Sequence, residues 1–178
     1  MDLDVLDLYE RGSAWSASKV AGASDAMDAP TQCDGWDVRT LMNHMLDTQR
    51  YFVGVARGED ASPPSSPPPD RLGADPVEDF EQARHEIIGA FSASGVIDRT
   101  GLSLGTAFSD QLIHGWDLAN ATGQDSTMPE GLAEAAYQII HGRFTDEQRV
   151  GIFKPEVQTG PDPSAQDKFL AYTGRDPS

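Results

Sequence analysis

The chain has 178 residues, 38% of them hydrophobic and 24% charged, a composition typical of a globular domain that forms its core without disulfides or structural metals. Its formal net charge of −16, from 29 acidic and 13 basic side chains, disfavours binding to nucleic acid and to anionic membranes. The single cysteine, Cys33, excludes an intramolecular disulfide and is compatible with a reducing compartment.

The N-terminal segment lacks the basic and apolar regions of a signal peptide, and no apolar run approaches the roughly 18 residues that indicate a membrane span. We therefore expect a cytoplasmic protein whose residues 1–178 form one domain.

Two amphipathic helices are predicted in the first third of the chain. The first ends near Gly22, and its apolar positions are Leu3, Leu6, Tyr9, Trp15 and Val20. The second has Asp37 as its N-cap, a hydrophobic staple between Trp36 and Leu41, and Gly58 as its stop. Its predicted core stripe is Val38, Leu41, Met42, Met45, Phe52, Val53 and Ala56.

Residues 61–70 are rich in proline and serine and predict an extended, semi-rigid crossover. A third helix is expected to begin near Pro76 and to be closed by Gly95. Its predicted buried side is Phe80, Ala83, Ile87, Ala90 and Phe91.

The fourth helix is expected from about Leu104 to Ala121, followed by shorter helices over 130–141 and 165–172. Residues 143–178 are expected to wrap the bundle, and no sustained strand alternation is present. The pattern predicts an all-α protein, a four-helix bundle with a Pro-rich crossover and short additional C-terminal helices.

Asp110 and His114 are the strongest candidates for a functional site. Residues i and i+4 lie on the same helix face and can share one metal ion. Two apolar stripes on this helix indicate that it is largely buried, where an isolated carboxylate would cost several kcal/mol. Either a metal ion resolves that cost, or the two side chains hydrogen-bond each other or face a wet groove.

His44 lies at the flank of the second helix and is the candidate third ligand. A lone flanking histidine is more often structural, but bundle metal sites are assembled from side chains on facing helices. Two imidazoles and one carboxylate with open positions would form a reactive rather than a structural metal site.

Two sequence segments resemble the hallmark motifs of the mycothiol-dependent maleylpyruvate isomerase N-terminal family, within the DinB-like superfamily of metal-binding bundles. They are Cys33-Asp-Gly-Trp-Asp-Val-Arg-Thr-Leu-Met-Asn-His44-Met and His114-Gly-Trp-Asp-Leu-Ala-Asn-Ala-Thr-Gly123. Residues 165–177 resemble the tail of an uncharacterised actinobacterial branch.

The resemblance implies a DinB-like bundle whose metal ligands are His44, Asp110 and His114. The isomerase typically has glutamate where Asp110 stands, and it carries a further C-terminal domain for which this chain has no room. The resemblance also implies a zinc ion, with Ni(II), Fe(II) or Mn(II) as alternatives, and mycothiol as a cosubstrate.

We therefore expect a metal-dependent, thiol-dependent transferase or isomerase acting on a small electrophile. Its alternatives are a metal-dependent hydrolase and a non-catalytic metal-binding or sensing bundle. The expected partners are a small-molecule substrate and a low-molecular-weight thiol. A homodimer is also expected. Binding to nucleic acid or to a membrane is not expected.

Other residues carry weaker signals. Cys33 precedes a helix N-terminus but is interpreted as a loop residue of the motif, and Asp117 is expected to pair with a helix end or an arginine rather than with His114. His85 is predicted on the surface and His141 at a helix C-terminus. Trp36, Trp116 and Met45 are expected in the core.

Overall fold

The computed structural model describes residues 4–149 and 152–177. The helices in these ranges are α1 (Val5–Ala23), α2 (Val38–Arg57), α3 (Pro76–Phe91), α4 (Val96–Ala121), α5 (Leu132–Ile140), α6 (Asp146–Arg149) and α7 (Ala165–Tyr172). Apart from one isolated bridge between Pro30 and Asp37, no β pairing occurs in this part of the chain. The predicted all-α fold is confirmed.

Helices α1 to α4 form a four-helix bundle in which α4 has the most extensive contacts. It packs against α1 and α2, while α3 lies against both α1 and α2. Helix α5 packs on α4, and α7 packs on α5. The largest side chains that are fully buried are Tyr9, Phe80, Phe91, Phe108 and Phe169.

Helices α1 and α4 approach closely because glycines lie at their contact. A Cβ atom on Gly115 would lie 2.6 Å from the ring of Trp15 and 2.7 Å from Oγ of Ser16. Ser16 Oγ donates a hydrogen bond of 2.6 Å to the carbonyl of Gln111 across the same contact. The absence of a side chain at Gly115 therefore lets the backbones of the two helices come together.

An aspartate caps each of the first two helices, and of these two caps only Asp37 was predicted. The Asp4 carboxylate accepts bonds from the N–H groups of α1, and Asp37 caps α2 through the N–H of Thr40 at 2.8 Å. Gly58 ends α2 with a left-handed φ of 73°. All seven predicted core residues of α2 are buried, whereas Leu3 of the first predicted helix lies outside the described residues.

The junction between α3 and α4 differs from the prediction. Helix α3 begins at Pro76 as expected but ends at Phe91, and Gly95, with φ of 73°, precedes α4 instead of closing α3. The predicted start of α4 near Leu104 is wrong, because the helix begins at Val96 and continues through Gly101.

The earlier start of α4 has a physical explanation. An internal glycine weakens a helix by only about 0.5–1 kcal/mol relative to alanine, which tertiary packing readily offsets. Val96 and Leu104, on either side of Gly101, are both buried in the same apolar cluster. Burial at these two positions therefore holds the first turns of α4 in helical conformation.

The Pro-rich crossover is held against α2 by two buried polar side chains. The amide oxygen of Asn43 accepts hydrogen bonds from the N–H groups of Arg71 and Leu72, at 2.6 and 2.9 Å. Asp47 accepts from the Arg71 guanidinium and from the N–H of Ser65. These bonds place residues 63–66 over the end of the bundle that contains His44.

The C-terminal segment returns to the bundle. Helix α5 is slightly shorter than predicted, α6 was not predicted, and α7 has the predicted bounds with a capping box between Ser164 and Asp167. Beyond α6, Lys154 bonds Asp34 and the carbonyl of Gln32 in the α1–α2 loop. Among the described residues, no helix combines the length and the apolar character that crossing a membrane requires.

Candidate metal centre

His44 lies in the second turn of α2, with its side chain 17% exposed. Its ring packs against the indole of Trp36, with 5.0 Å between centroids, and against the ring of His114, with 4.8 Å between centroids. The Nε2 atom also lies 3.4 Å from Oγ1 of Thr48, one helical turn further on. The imidazole is therefore oriented by its neighbours and directed toward α4.

Asp110 and His114 lie one turn apart on α4, and both face His44. Oδ1 of Asp110 lies 3.5 Å from Nε2 of His114 and 3.7 Å from Nε2 of His44. The three ligand atoms lie within 4.8 Å of one another. The structure thus brings together the three residues that the sequence analysis singled out as candidate ligands.

The donor set and its spacing fit a divalent ion. Ligands at about 2.0–2.2 Å from a tetrahedral zinc ion lie about 3.3–3.6 Å apart, close to the observed separations. Within the described residues, Oδ2 of Asp110 is buried without a hydrogen-bond partner. Buried polar atoms normally have a partner, so this oxygen indicates an unfilled bonding capacity at this point.

Asp110 is held in its ionised form. Burial alone would raise the pKa of this carboxyl group, but the charge of His114 and hydrogen bonding from both histidines hold its pKa well below the usual range. Its side chain keeps 21% exposure, so a solute can still reach it. An ionised, accessible carboxylate between two imidazoles is suited to coordinating a cation.

Asp117 supports His114 from the side opposite Asp110. Its Oδ2 atom lies 3.0 Å from Nδ1 of His114, which leaves Nε2 directed at Asp110 and His44. The Arg175 guanidinium bonds both oxygens of Asp117, at 2.8 and 3.3 Å. The prediction that Asp117 pairs with an arginine is confirmed. The prediction that it does so instead of bonding His114 is wrong, because Asp117 contacts both residues. The i, i+3 spacing from His114 was the sequence signal for that bond.

This buried group of charges shifts several pKa values. Burial would raise the pKa of Asp117, but hydrogen bonding from His114 and the charge of Arg175 lower it to about 2. Burial would lower the pKa of His114, but the charge of Asp110 and hydrogen bonds to Asp110 and Asp117 raise it well above its usual value. These interactions favour the protonated form of His114 when no metal is bound.

Cys33 lies beside this network. Its Sγ atom lies 3.5 Å from Oδ2 of Asp117 and 3.9 Å from Nη2 of Arg175. Cys33, His114 and Asp117 also have ligand atoms within 4.8 Å of one another. The guanidinium in contact with two of these residues opposes a second cation here. The loop cysteine is nevertheless part of the site's surroundings, which its motif position alone did not indicate.

The other candidates lie elsewhere. His85 is exposed on α3, and His141 caps the C-terminus of α5 with its ring between those of Tyr137 and Tyr172, so both predictions are confirmed. Trp36 differs from the expectation of a core residue, because its half-buried ring lines the cavity above His44.

Comparison with known proteins places this architecture in a family. No solved structure matches the chain significantly. Two curated relatives, both called uncharacterised proteins, come from two strains of Mycobacterium tuberculosis. Each is 27% identical over 190 residues, which cover 97% of this chain and 98% of the relative. The family model for the mycothiol maleylpyruvate isomerase N-terminal domain matches residues 10–119, which contain all three candidate ligands. The chain therefore belongs to the mycothiol maleylpyruvate isomerase N-terminal domain family.

Proposed function

We propose that this protein is a divalent-metal-dependent, thiol-dependent transferase or isomerase that acts on a small electrophile. The family description indicates a mycothiol-related, metal-binding function, which makes mycothiol the first candidate for the thiol. Zinc is the first candidate for the ion, and Ni(II), Fe(II) and Mn(II) are suited to the same donor set.

The observation that carries this proposal is the convergence of His44, Asp110 and His114 at the meeting point of two cavities. Both histidines line both cavities, and Asp110 lines one of them. A structural metal site is usually closed by four protein ligands, whereas three ligands beside open space leave room for a substrate. The arrangement therefore supports a reactive centre rather than a structural one.

Each residue has a specific task in this proposal. His44, Asp110 and His114 would hold the ion, which when bound lowers the pKa of a thiol or a water molecule. Asp117 fixes the ring of His114 and keeps its Nε2 directed at the other two ligands. Arg175 in turn fixes both oxygens of Asp117.

The proposed chemistry is the addition of a thiol to an electrophilic carbon atom. The S–H bond breaks and the proton leaves to solvent, while the sulfur electron pair forms a bond to carbon. In a transfer reaction the leaving group departs with its bonding pair. In an isomerisation, the π electron pair of the attacked double bond moves onto a conjugated carbonyl oxygen, which allows rotation about the resulting single bond. The pair then returns to re-form the double bond, the carbon–sulfur bond breaks with its pair on sulfur, and a proton from solvent restores the thiol.

Reconstituted protein, purified without an affinity tag, tests the proposal directly. Zinc-loaded protein is incubated with 1-chloro-2,4-dinitrobenzene as a model electrophile, with and without mycothiol, and the thioether product is measured. We expect turnover that requires both zinc and the thiol and is lost in His114→Ala. Thiol-independent turnover would instead support a hydrolase. Zinc binding without any turnover, across a panel of electrophiles, would contradict the proposal and support a binding or sensing role.

A further inference from the structure

The crossover between α2 and α3, residues 58–75, is long for a segment that contains neither helix nor strand. Connections of this kind that exceed about 12–15 residues are usually either disordered or functional, as lids and binding loops are. In this protein, side chains of α2 hold the crossover at several points. Its length and its fixed course therefore indicate a functional segment.

Two buried side chains of α2, Asn43 and Asp47, direct their polar atoms to the crossover. The Asn43 amide accepts bonds from two N–H groups and donates one to a carboxylate, all within residues 70–72. Oδ1 of Asp47 accepts two bonds from the Arg71 guanidinium, at 2.6 and 2.7 Å. Oδ2 of Asp47 accepts from the N–H of Ser65 at 3.4 Å. Bonds between charged groups are the stronger kind, so Asp47 is a firm anchor for the crossover.

These two anchors and a proposed metal ligand lie on the same part of α2. Asn43 and Asp47 are four positions apart and share one helix face. His44 and Thr48 share the neighbouring face, about 100° around the helix, with 3.4 Å between Nε2 and Oγ1. A single rigid helical segment therefore fixes the position of the crossover relative to the His44 imidazole.

Residues 63–66 of the crossover, here called the strap, form part of the wall of both cavities at the candidate metal centre. Pro64 lines both cavities, whose volumes are about 460 and 300 Å³. Within the described residues, no group donates a hydrogen bond to the carbonyl oxygens of the strap. These acceptors therefore remain for the hydroxyl or amide donors of a ligand, whichever cavity holds it.

We propose that the strap is a fixed ligand-binding wall of the metal centre, and that Asn43 and Asp47 are the positioning residues that hold it. This inference rests on the proposed function, in which a thiol and an electrophile meet beside the ion. A wall that is already in place removes the entropic cost of ordering a loop when a ligand binds. Loss of an anchor should therefore weaken ligand binding but not ion binding, because neither anchor is a proposed metal ligand.

Amide hydrogen exchange of the metal-free protein, followed by NMR, tests whether the anchors hold the strap. We expect the Ser65 amide to lose protection in Asp47→Ala, which removes its acceptor. If Asp47→Ala does not fold, Arg71→Ala breaks the same ion pair at its exposed end. The control is Asp79→Ala, which removes the acceptor of the Gly73 N–H elsewhere on the crossover and should leave the Ser65 amide unchanged. Unchanged exchange of the Ser65 amide in Asp47→Ala would contradict the anchoring.

Mycothiol binding to zinc-loaded protein, measured by calorimetry, tests the consequence for a ligand. Asp47→Ala should weaken this binding at least about 10-fold, which corresponds to about 1.4 kcal/mol. Its zinc affinity, measured by competition with a chelator, should equal that of the wild-type protein. Asp79→Ala makes the same change in charge but frees only Gly73, which lies outside both cavities, and should change neither affinity. Equal weakening in the two variants, or a parallel loss of zinc affinity in Asp47→Ala, would overturn the inference.

A pair of prolines in the crossover tests the wall directly. Pro64 lines both cavities, whereas Pro69 is exposed and lies outside both. Pro64→Phe adds bulk to the strap and should weaken mycothiol binding at least about 10-fold, and Pro69→Phe should leave it unchanged. Mycothiol binding that is the same in the wild-type protein, Asp47→Ala and Pro64→Phe would contradict the inference alone. A wild-type protein that binds zinc but not mycothiol would contradict the proposed function, and the inference with it.

Discussion

The imidazole of His114 is fixed by the carboxylate of Asp117, whose Oδ2 atom lies 3.0 Å from Nδ1 of the ring. This contact determines which ring nitrogen is available to a metal ion. Partners of this kind set the tautomer and orientation of a ligating histidine, and their loss typically costs about 10–100-fold in metal affinity.

Asp117→Asn should therefore weaken zinc binding by about 10–100-fold while the helical fold is retained. The amide keeps the shape of the side chain but removes the charge that faces His114 and Arg175. Competition with a chelator measures the affinity, and circular dichroism monitors the fold. Asp98→Asn, at an exposed position on the same helix, is the control. Unchanged affinity in Asp117→Asn would contradict the orienting role.

His44→Ala should reduce zinc affinity more than Asp117→Asn does, because it removes a direct ligand rather than a supporting group. Zinc content after gel filtration, measured by elemental analysis, checks this expectation. His85→Ala is the matched control, since His85 is an exposed histidine on α3 away from both cavities. Near-stoichiometric zinc in His44→Ala would remove this residue from the proposed ligand set.

Zinc binding should release a proton from His114, because the charge of Asp110 holds the pKa of this imidazole well above its usual value despite burial. Zinc affinity should accordingly increase with pH until this raised pKa is passed. Calorimetric titration in buffers with different ionisation enthalpies measures the number of protons released. A binding heat that is the same in all buffers would show that His114 is already neutral in the metal-free protein.

The same pKa shifts predict the pH dependence of stability in the metal-free protein. The raised pKa of His114 contributes stability fully below its unfolded value of about 6.5, and this contribution disappears as the pH rises through the folded-state pKa. The lowered pKa of Asp117 contributes stability above its unfolded value, about 3.9. That contribution is lost as the pH falls to about 2. Urea unfolding of the wild-type protein and of Asp117→Asn at several pH values measures how the free energy of unfolding falls at acidic pH. The same fall in both proteins would refute the contribution of Asp117.

Gly115→Ala should destabilise the protein by about 1–3 kcal/mol, the range for an overpacked contact. The added Cβ would lie 2.6 Å from the ring of Trp15 and would displace Ser16, which bonds the backbone of α4. Gly89→Ala is the opposite control, because Gly89 is exposed on α3 and a Cβ atom added there would meet no neighbouring group within 4 Å. That substitution should stabilise the helix by about 0.5–1 kcal/mol. Urea denaturation measures both, and equal effects would contradict the close approach of α1 and α4.

The sequence was most informative where local chemistry determines local structure. Asp37 and Gly58 define the ends of α2 because a side-chain acceptor and a left-handed glycine satisfy the free groups of a helix terminus. The start of α7 is defined in a similar way, by the capping box between Ser164 and Asp167. The start of α4 was missed because Gly101 resembles a loop signal, and only the burial of Val96 and Leu104 outweighs it.

The candidate site was predictable in part. The spacing of Asp110 and His114 places them on one helix face. The flanking position of His44 on the second helix made it the candidate third ligand, and the family resemblance supported that choice. The role of Arg175 had no local signal, because it reaches Asp117 across 58 positions of the sequence. The two cavities likewise depend on how the crossover and the C-terminal segment fold back over the bundle, which helical periodicity does not encode.

The proposed metal ligands and part of the cavity wall come from different parts of the polypeptide. His44, Asp110 and His114 lie within the family-matched residues 10–119, whereas Ile152, Phe153, Lys154 and Arg175 follow them. Under the proposed function, changes after residue 119 that leave Arg175 unaltered would therefore affect which molecules are accepted while the proposed metal ligands stay in place. Variation in this one interval would thus give a common bundle new substrate preferences without a change in the residues proposed to bind the ion.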